Sequence, residues 1–164
     1  VPLESLRGKT VLVTGASGLI GRMMVWGLQF LNEREKTQIR ILALVRDREK
    51  GERILLSGGA EKERTDTGIL TGDVGEKLCV QEPVDYIIHT ASMTASRSFV
   101  EQPVEVAMTN IYGTRNVLEL AREKACQNFS EMLSPVFPPF YIPFIFPSFQ
   151  IASVSVLRAD YVLS

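Results

Sequence analysis

The chain has 164 residues, 45% of them hydrophobic and 23% charged, enough for one domain with a buried core. Lys and Arg total 18 against 19 Asp and Glu, a net charge of −1, which argues against nucleic acid or an anionic membrane surface as partner. Cys79 and Cys126 stand far apart in no metal spacing, so no metal site is expected; reduced cysteines and the lack of an apolar leader fit a cytoplasmic protein.

The first strand is expected at about 10–14, Thr10-Val11-Leu12-Val13-Thr14. It runs straight into a turn with glycines at 15, 18 and 21, and an apolar helical pattern follows from Leu19 to Asn32. Strand, tight glycine turn and helix together place a pyrophosphate against the first turn of a helix. Gly15 turns the chain off the strand, Gly18 removes a side chain where backbone would approach phosphate, and Gly21 lets the helix pack closely. A polar loop at 33–38 leads to a second strand at 39–45. A short helix near 48–56, a third strand at 68–71 and a fourth at 84–89 follow. A long helix is expected from Pro103 to Lys124, with Pro103 in its first turn and Gly113 at a close approach to a neighbouring element. Apolar strands alternating with helices indicate a parallel sheet covered on both faces, and with the glycine turn the expected spatial order is 3-2-1-4.

Five segments in order resemble the extended short-chain dehydrogenase/reductases, the NAD-dependent epimerase/dehydratase family. They are Thr14-Gly15-Ala16-Ser17-Gly18-Leu19-Ile20-Gly21, Ala43-Leu44-Val45-Arg46-Asp47, Gly72-Asp73-Val74, Asp85-Tyr86-Ile87-Ile88-His89-Thr90-Ala91-Ser92 and Asn110-Ile111-Tyr112-Gly113-Thr114-Arg115-Asn116-Val117-Leu118. The resemblance covers roughly 8–129 and implies an α/β fold, a Rossmann-type doubly wound parallel sheet, with a nicotinamide dinucleotide along the carboxyl ends of its strands. It assigns the cofactor to Gly15, Ser17, Gly18, Leu19, Ile20 and Gly21. It gives Asp73 and Val74 to the adenine, and Thr90, Ala91 and Ser92 to the pyrophosphate and ribose. It also implies that His89 is structural and that Asn110 links the helix backbone to a polar network. An ordinary Gly-Asp turn at 72–73 and simple strand termination at 90–92 are the plainer alternatives.

Cofactor choice turns on the end of the second strand. An acid there binds a ribose 2′-OH, whereas a 2′-phosphate needs a cation. Val45 stands where the acid would be, and Arg46 follows, with Arg48 nearby. This favours NADP over NAD, although Asp47 could serve an NAD ribose. Nucleotide sugars or related alcohols and carbonyl compounds are the substrates that the resemblance implies.

The family's catalytic Tyr-x-x-x-Lys pair has no counterpart: Tyr86, Tyr112 and Tyr141 are followed four places on by Thr90, Asn116 and Ile145, and no lysine occurs after Lys124. No catalytic residue is therefore assigned. The character of the chain also changes near Phe129. Five of eight prolines lie in 130–164, six of eight phenylalanines lie in 129–149, and no charge occurs between Glu131 and Arg158. The expectation is a dinucleotide-binding part at 1–129, incomplete, and an atypical, poorly packed Pro/Phe-rich tail at 130–164 from a truncated or shifted reading frame. Within it, Ile151–Leu157 has the composition of an edge strand. A membrane-seeking tail is the weaker alternative, since the prolines oppose a spanning helix. The resulting function is a cofactor-binding domain of an epimerase/dehydratase-like protein, inactive as this chain, or a non-catalytic sensor module.

Overall fold

In the central strand β1 (Thr10–Thr14) every residue is buried, so its side chains fill a core on each face of the sheet. Val11 and Val13 point into one core, and Leu12 points into the other. The computed structural model describes residues 3–56, 64–92, 101–124, 128–132 and 154–158. β1 pairs in parallel with β2 (Arg40–Val45) and β4 (Tyr86–His89), and β2 pairs in parallel with β3 (Thr67–Thr71). The expected order 3-2-1-4 is therefore present. β5 (Asn128–Met132) adds to β4 in parallel, and β6 (Val154–Arg158) adds to β5 antiparallel, giving β3-β2-β1-β4-β5-β6.

Helices α1 (Leu19–Glu35) and α2 (Arg48–Leu55) cover one face through Val25, Leu28 and Leu55. Helix α3 (Pro103–Glu123) covers the other through Val117 and Leu120. Beside α3 the connection from β3 to β4 buries Leu78, Val80 and Val84 in place of a helix. The sheet is thus packed on both sides, as the alternation of elements requires.

α1 runs about a turn beyond the expected end at Asn32, to Glu35. The Arg7 guanidinium donates to the carbonyls of Glu35 (3.3 Å) and Lys36 (3.0 Å), satisfying groups that a helix end leaves bare. Lys36 and Gln38 then take left-handed conformations, φ 51° and 57°, to turn the chain into β2. Asn32 fixes that bend: its side chain donates to Ile39 O (2.8 Å) and accepts from the Ile39 N–H (2.7 Å). Of the tail expected at 130–164 to be poorly packed, 130–132 belong to β5 and 154–158 to β6, the latter overlapping the edge strand expected at Ile151–Leu157, while 133–153 and 159–164 lie outside the described residues.

Candidate functional site

All the parallel strands end at one edge of the sheet, and the glycine turn is the centre of that edge. Gly15 has φ +64°, a conformation that favours glycine. A Cβ there would lie 2.7 Å from the backbone N and Cα of Ala91. Gly15 therefore serves both the turn and the close approach of β1 to the end of β4. Its carbonyl accepts from the Gly18 N–H at 2.9 Å. A Cβ on Gly21 would run into the Gly15 carbonyl oxygen and lie 2.8 Å from Ala16 Cα, so Gly21 seats α1 on the turn itself. Gly18 is the N-cap, with no side-chain cap hydrogen bond, and no acid stands in the first turn. Gly18, Leu19 and Ile20 are exposed, and Ser17 is half-buried. Such a terminus offers uncapped N–H groups and the positive end of the helix dipole, a setting that attracts an anion.

Below the turn, β1 and β4 are locked by a buried polar seam. The Thr14 hydroxyl lies 2.6 Å from His89 Nδ1. It also accepts from the Ala91 N–H at 3.3 Å, while the Thr90 hydroxyl donates to the Thr14 carbonyl at 2.6 Å. Burial pushes the His89 pKa down to about 4, so the imidazole is neutral at pH 7. That suits a structural role and not a base. The seam holds Thr90 and Ala91 against Gly15, and Ser92 Oγ donates to Asn110 Oδ1 on α3 at 3.3 Å.

The Asp73-Val74 turn follows β3. Asp73 Oδ1 accepts from the Gly75 N–H at 2.8 Å, and the Val74 carbonyl accepts from Asn116 Nδ2 on α3 at 2.8 Å. A Cβ on Gly113 would lie 3.0 Å from Val74 Cγ2, which identifies the neighbour for which that mid-helix glycine makes room. The Val74 carbonyl, expected to face an adenine, thus has a partner within the protein. Asn116 stands in the fifth of the matching segments without an assigned role; its position three residues after Gly113 on one helix face is the signal for this contact.

The end of β2 lies beside the end of β3, since the Gly72 N–H donates to the Val45 carbonyl at 3.0 Å. Arg46 is exposed there. Asp47 is the N-cap of α2, and its carboxylate accepts from the Lys50 N–H at 3.0 Å. That bond engages one of the two carboxylate oxygens. Arg48 pairs with Glu52 at 2.8 Å. Arg22, in the first turns of α1, was not singled out in the sequence. Its guanidinium lies over Trp26, 5.7 Å from the ring centroid, and its Nε is buried without a hydrogen-bond partner.

Comparison with known proteins bears on this edge. A 29% identical relative over 126 residues is an uncharacterized membrane protein of Methanocaldococcus jannaschii, with 75% of this chain and 35% of the relative aligned. Among the described residues here, no helix is long and apolar enough to cross a membrane. An epimerase of Methanothermobacter thermautotrophicus has a similar structure, with 25% identity and TM-score 0.62, over 87% of this chain and 41% of that one. The dTDP-glucose 4,6-dehydratase of Streptomyces venezuelae, solved with NAD bound, shares the fold at 22% identity and TM-score 0.58, over 71% of this chain and 37% of that one. The chain spans about two fifths or less of the length of these relatives. The model of the NAD dependent epimerase/dehydratase family matches residues 11–142, a span that takes in the glycine turn, the Thr14–His89 seam, the Val74 turn and β5. With that match over most of its length, and with the sheet order and glycine turn described above, the chain belongs to the NAD dependent epimerase/dehydratase family.

Proposed function

We propose that this domain holds a nicotinamide dinucleotide across the carboxyl edge of the sheet, with NADP favoured over NAD. The observation that carries the reading is the turn at Gly15–Gly21: a backbone cradle closed to any Cβ at Gly15 and Gly21, leading into a helix start without a cap or an acid. Residues that fit the parts of the group are present. Gly15, Ser17, Gly18, Leu19, Ile20 and Gly21 would lie along the pyrophosphate, and Thr90, Ala91 and Ser92 beside it. Asp73 and Val74 would border the adenine, with the Val74 N–H as the donor, since its carbonyl is engaged by Asn116. Arg46 would meet a 2′-phosphate, with Asp47 drawn off to cap α2. When bound, the cofactor would supply hydride chemistry; this chain's residues bind and orient it.

The substrate class in this reading is a nucleotide sugar or a related alcohol or carbonyl compound. A structural neighbour from Streptomyces venezuelae, a dTDP-glucose 4,6-dehydratase, is an enzyme of that substrate class, and its bound NAD supports a nicotinamide dinucleotide without bearing on the NADP preference. A second reading is a non-catalytic binding module, favoured by one observation: no tyrosine in the chain is followed four residues on by lysine. Turnover of nucleotide sugars by the 164-residue chain would reject that second reading.

Calorimetric titration of NADP and NAD tests the first reading. Tighter binding of NADP is expected, and Arg46→Ala should weaken NADP by roughly 10-fold or more while changing NAD little. Equal loss for both cofactors, or none for either, would remove Arg46 from the site; no binding of either by the wild-type chain would remove the cofactor.

A further inference from the structure

We infer that Arg22 is a second specificity-determining cation, which with Arg46 selects a dinucleotide carrying a phosphate on the adenosine ribose. This rests on the reading that the glycine turn binds a dinucleotide, and it adds a residue on a different element from Arg46.

The placement follows from helix register. Gln29 on α1 donates to the Leu55 carbonyl on α2 at 3.1 Å and to Thr67 Oγ1 on β3 at 3.1 Å. The face of α1 that carries Gln29 is therefore turned toward α2. Both helices leave the carboxyl edge of the sheet and run the same way. Two turns back along each is about seven residues. That step leads from Gln29 to Arg22 and from Leu55 to Arg48. Helix register thus puts Arg22 level with the start of α2, the helix that Arg46 and the Asp47 cap lead into.

Arg22, Arg46 and Arg48 then lie on the elements that meet at this corner, where two of the carboxylates are engaged and Glu49, in the first turn of α2, faces solvent. Asp47 caps α2, Glu52 pairs with Arg48, and α1 has no acid in its first turn. Arg22 also carries a buried Nε–H without an acceptor. A buried donor left unmatched is unfavourable, most of all on a charged group, and an anionic oxygen at this corner would satisfy it. A phosphate monoester offers three acceptor oxygens and suits the planar fork of Arg22 together with the Arg46 charge. A bare ribose hydroxyl leaves both cations uncompensated.

Trp26 makes the inference readable. It is the single tryptophan of the chain, and the Arg22 guanidinium lies over its ring. Adenosine 2′,5′-bisphosphate should shift Trp26 emission, whereas ADP should leave it nearly unchanged. Arg22→Gln should weaken NADP by roughly 10- to 100-fold and leave NAD within about 2-fold. Arg22→Lys, which keeps the charge but loses the fork, should fall between wild type and Arg22→Gln. Retained NAD affinity shows in the same titrations that the variants fold. Equal weakening of both cofactors would move Arg22 to the pyrophosphate and overturn the inference, as would unchanged NADP binding. Wild-type protein that binds neither dinucleotide would overturn the underlying reading together with it.

Discussion

The β1–β4 seam and the β2–α2 corner occupy the same edge of one sheet, yet they are built by different means. The seam is backbone and buried polar atoms: Gly15 against Ala91, and Thr14 against His89 and Thr90. The corner is exposed side-chain charge: Arg46, Arg48 and the Asp47 cap. The seam's geometry is over-determined by the fold and fixes where the edge is open. The corner can change its residues without disturbing packing, so discrimination between ligands belongs there. Mutations at the seam should therefore register as stability, and those at the corner as selectivity.

The sharpest way to break this contrast is Gly15→Ala. The left-handed φ and the collision with Ala91 act together, and the variant should lose about 3 kcal/mol or fail to fold, as read by urea unfolding. A loss below about 1 kcal/mol would mean that the seam is soft. Next is pH. Burial lowers the His89 pKa from 6.5 to about 4, so the unfolded chain takes up the proton more readily than the folded one. Its contribution is full above pH 6.5 and is lost as pH falls toward 4, by ~3 kcal/mol at most. His89→Gln should flatten that part of the stability–pH curve, and a curve unchanged by the substitution would detach His89 from it. The smallest effect is at the corner. Asp47→Ala removes a cap and should lower stability by about 1 kcal/mol, while NADP affinity holds or rises because a nearby negative charge is gone. A larger fall in NAD than in NADP affinity would return Asp47 to the ribose.

The sequence displayed best what backbone geometry dictates. Glycines at 15, 18 and 21 between a strand and a helix have few structural solutions, and alternating apolar segments point to the order β3-β2-β1-β4. Contacts between distant residues were less visible. The end of α1 is not legible from its own residues, because its capping group, Arg7, lies 28 residues before Glu35. Asn116 resembled any polar residue on a helix until its bond to Val74 was seen. Arg22 gave no periodic signal, because its interest comes from a buried atom without a partner and from the helix packed beside it. Asn110 and Ser92, by contrast, were both named from their motifs, and the fold brings them together.

β1 has a consequence for how the molecule breathes. Its residues are buried on both faces, and it is flanked by parallel partners on both sides. Local openings start where few contacts must be given up, at edges, short helices and exposed caps. No such event frees β1 without dismantling both cores. The glycine turn, fixed to the end of that strand, therefore keeps its shape through every fluctuation short of global unfolding, whereas the eight-residue α2 and its cap can fray and re-form.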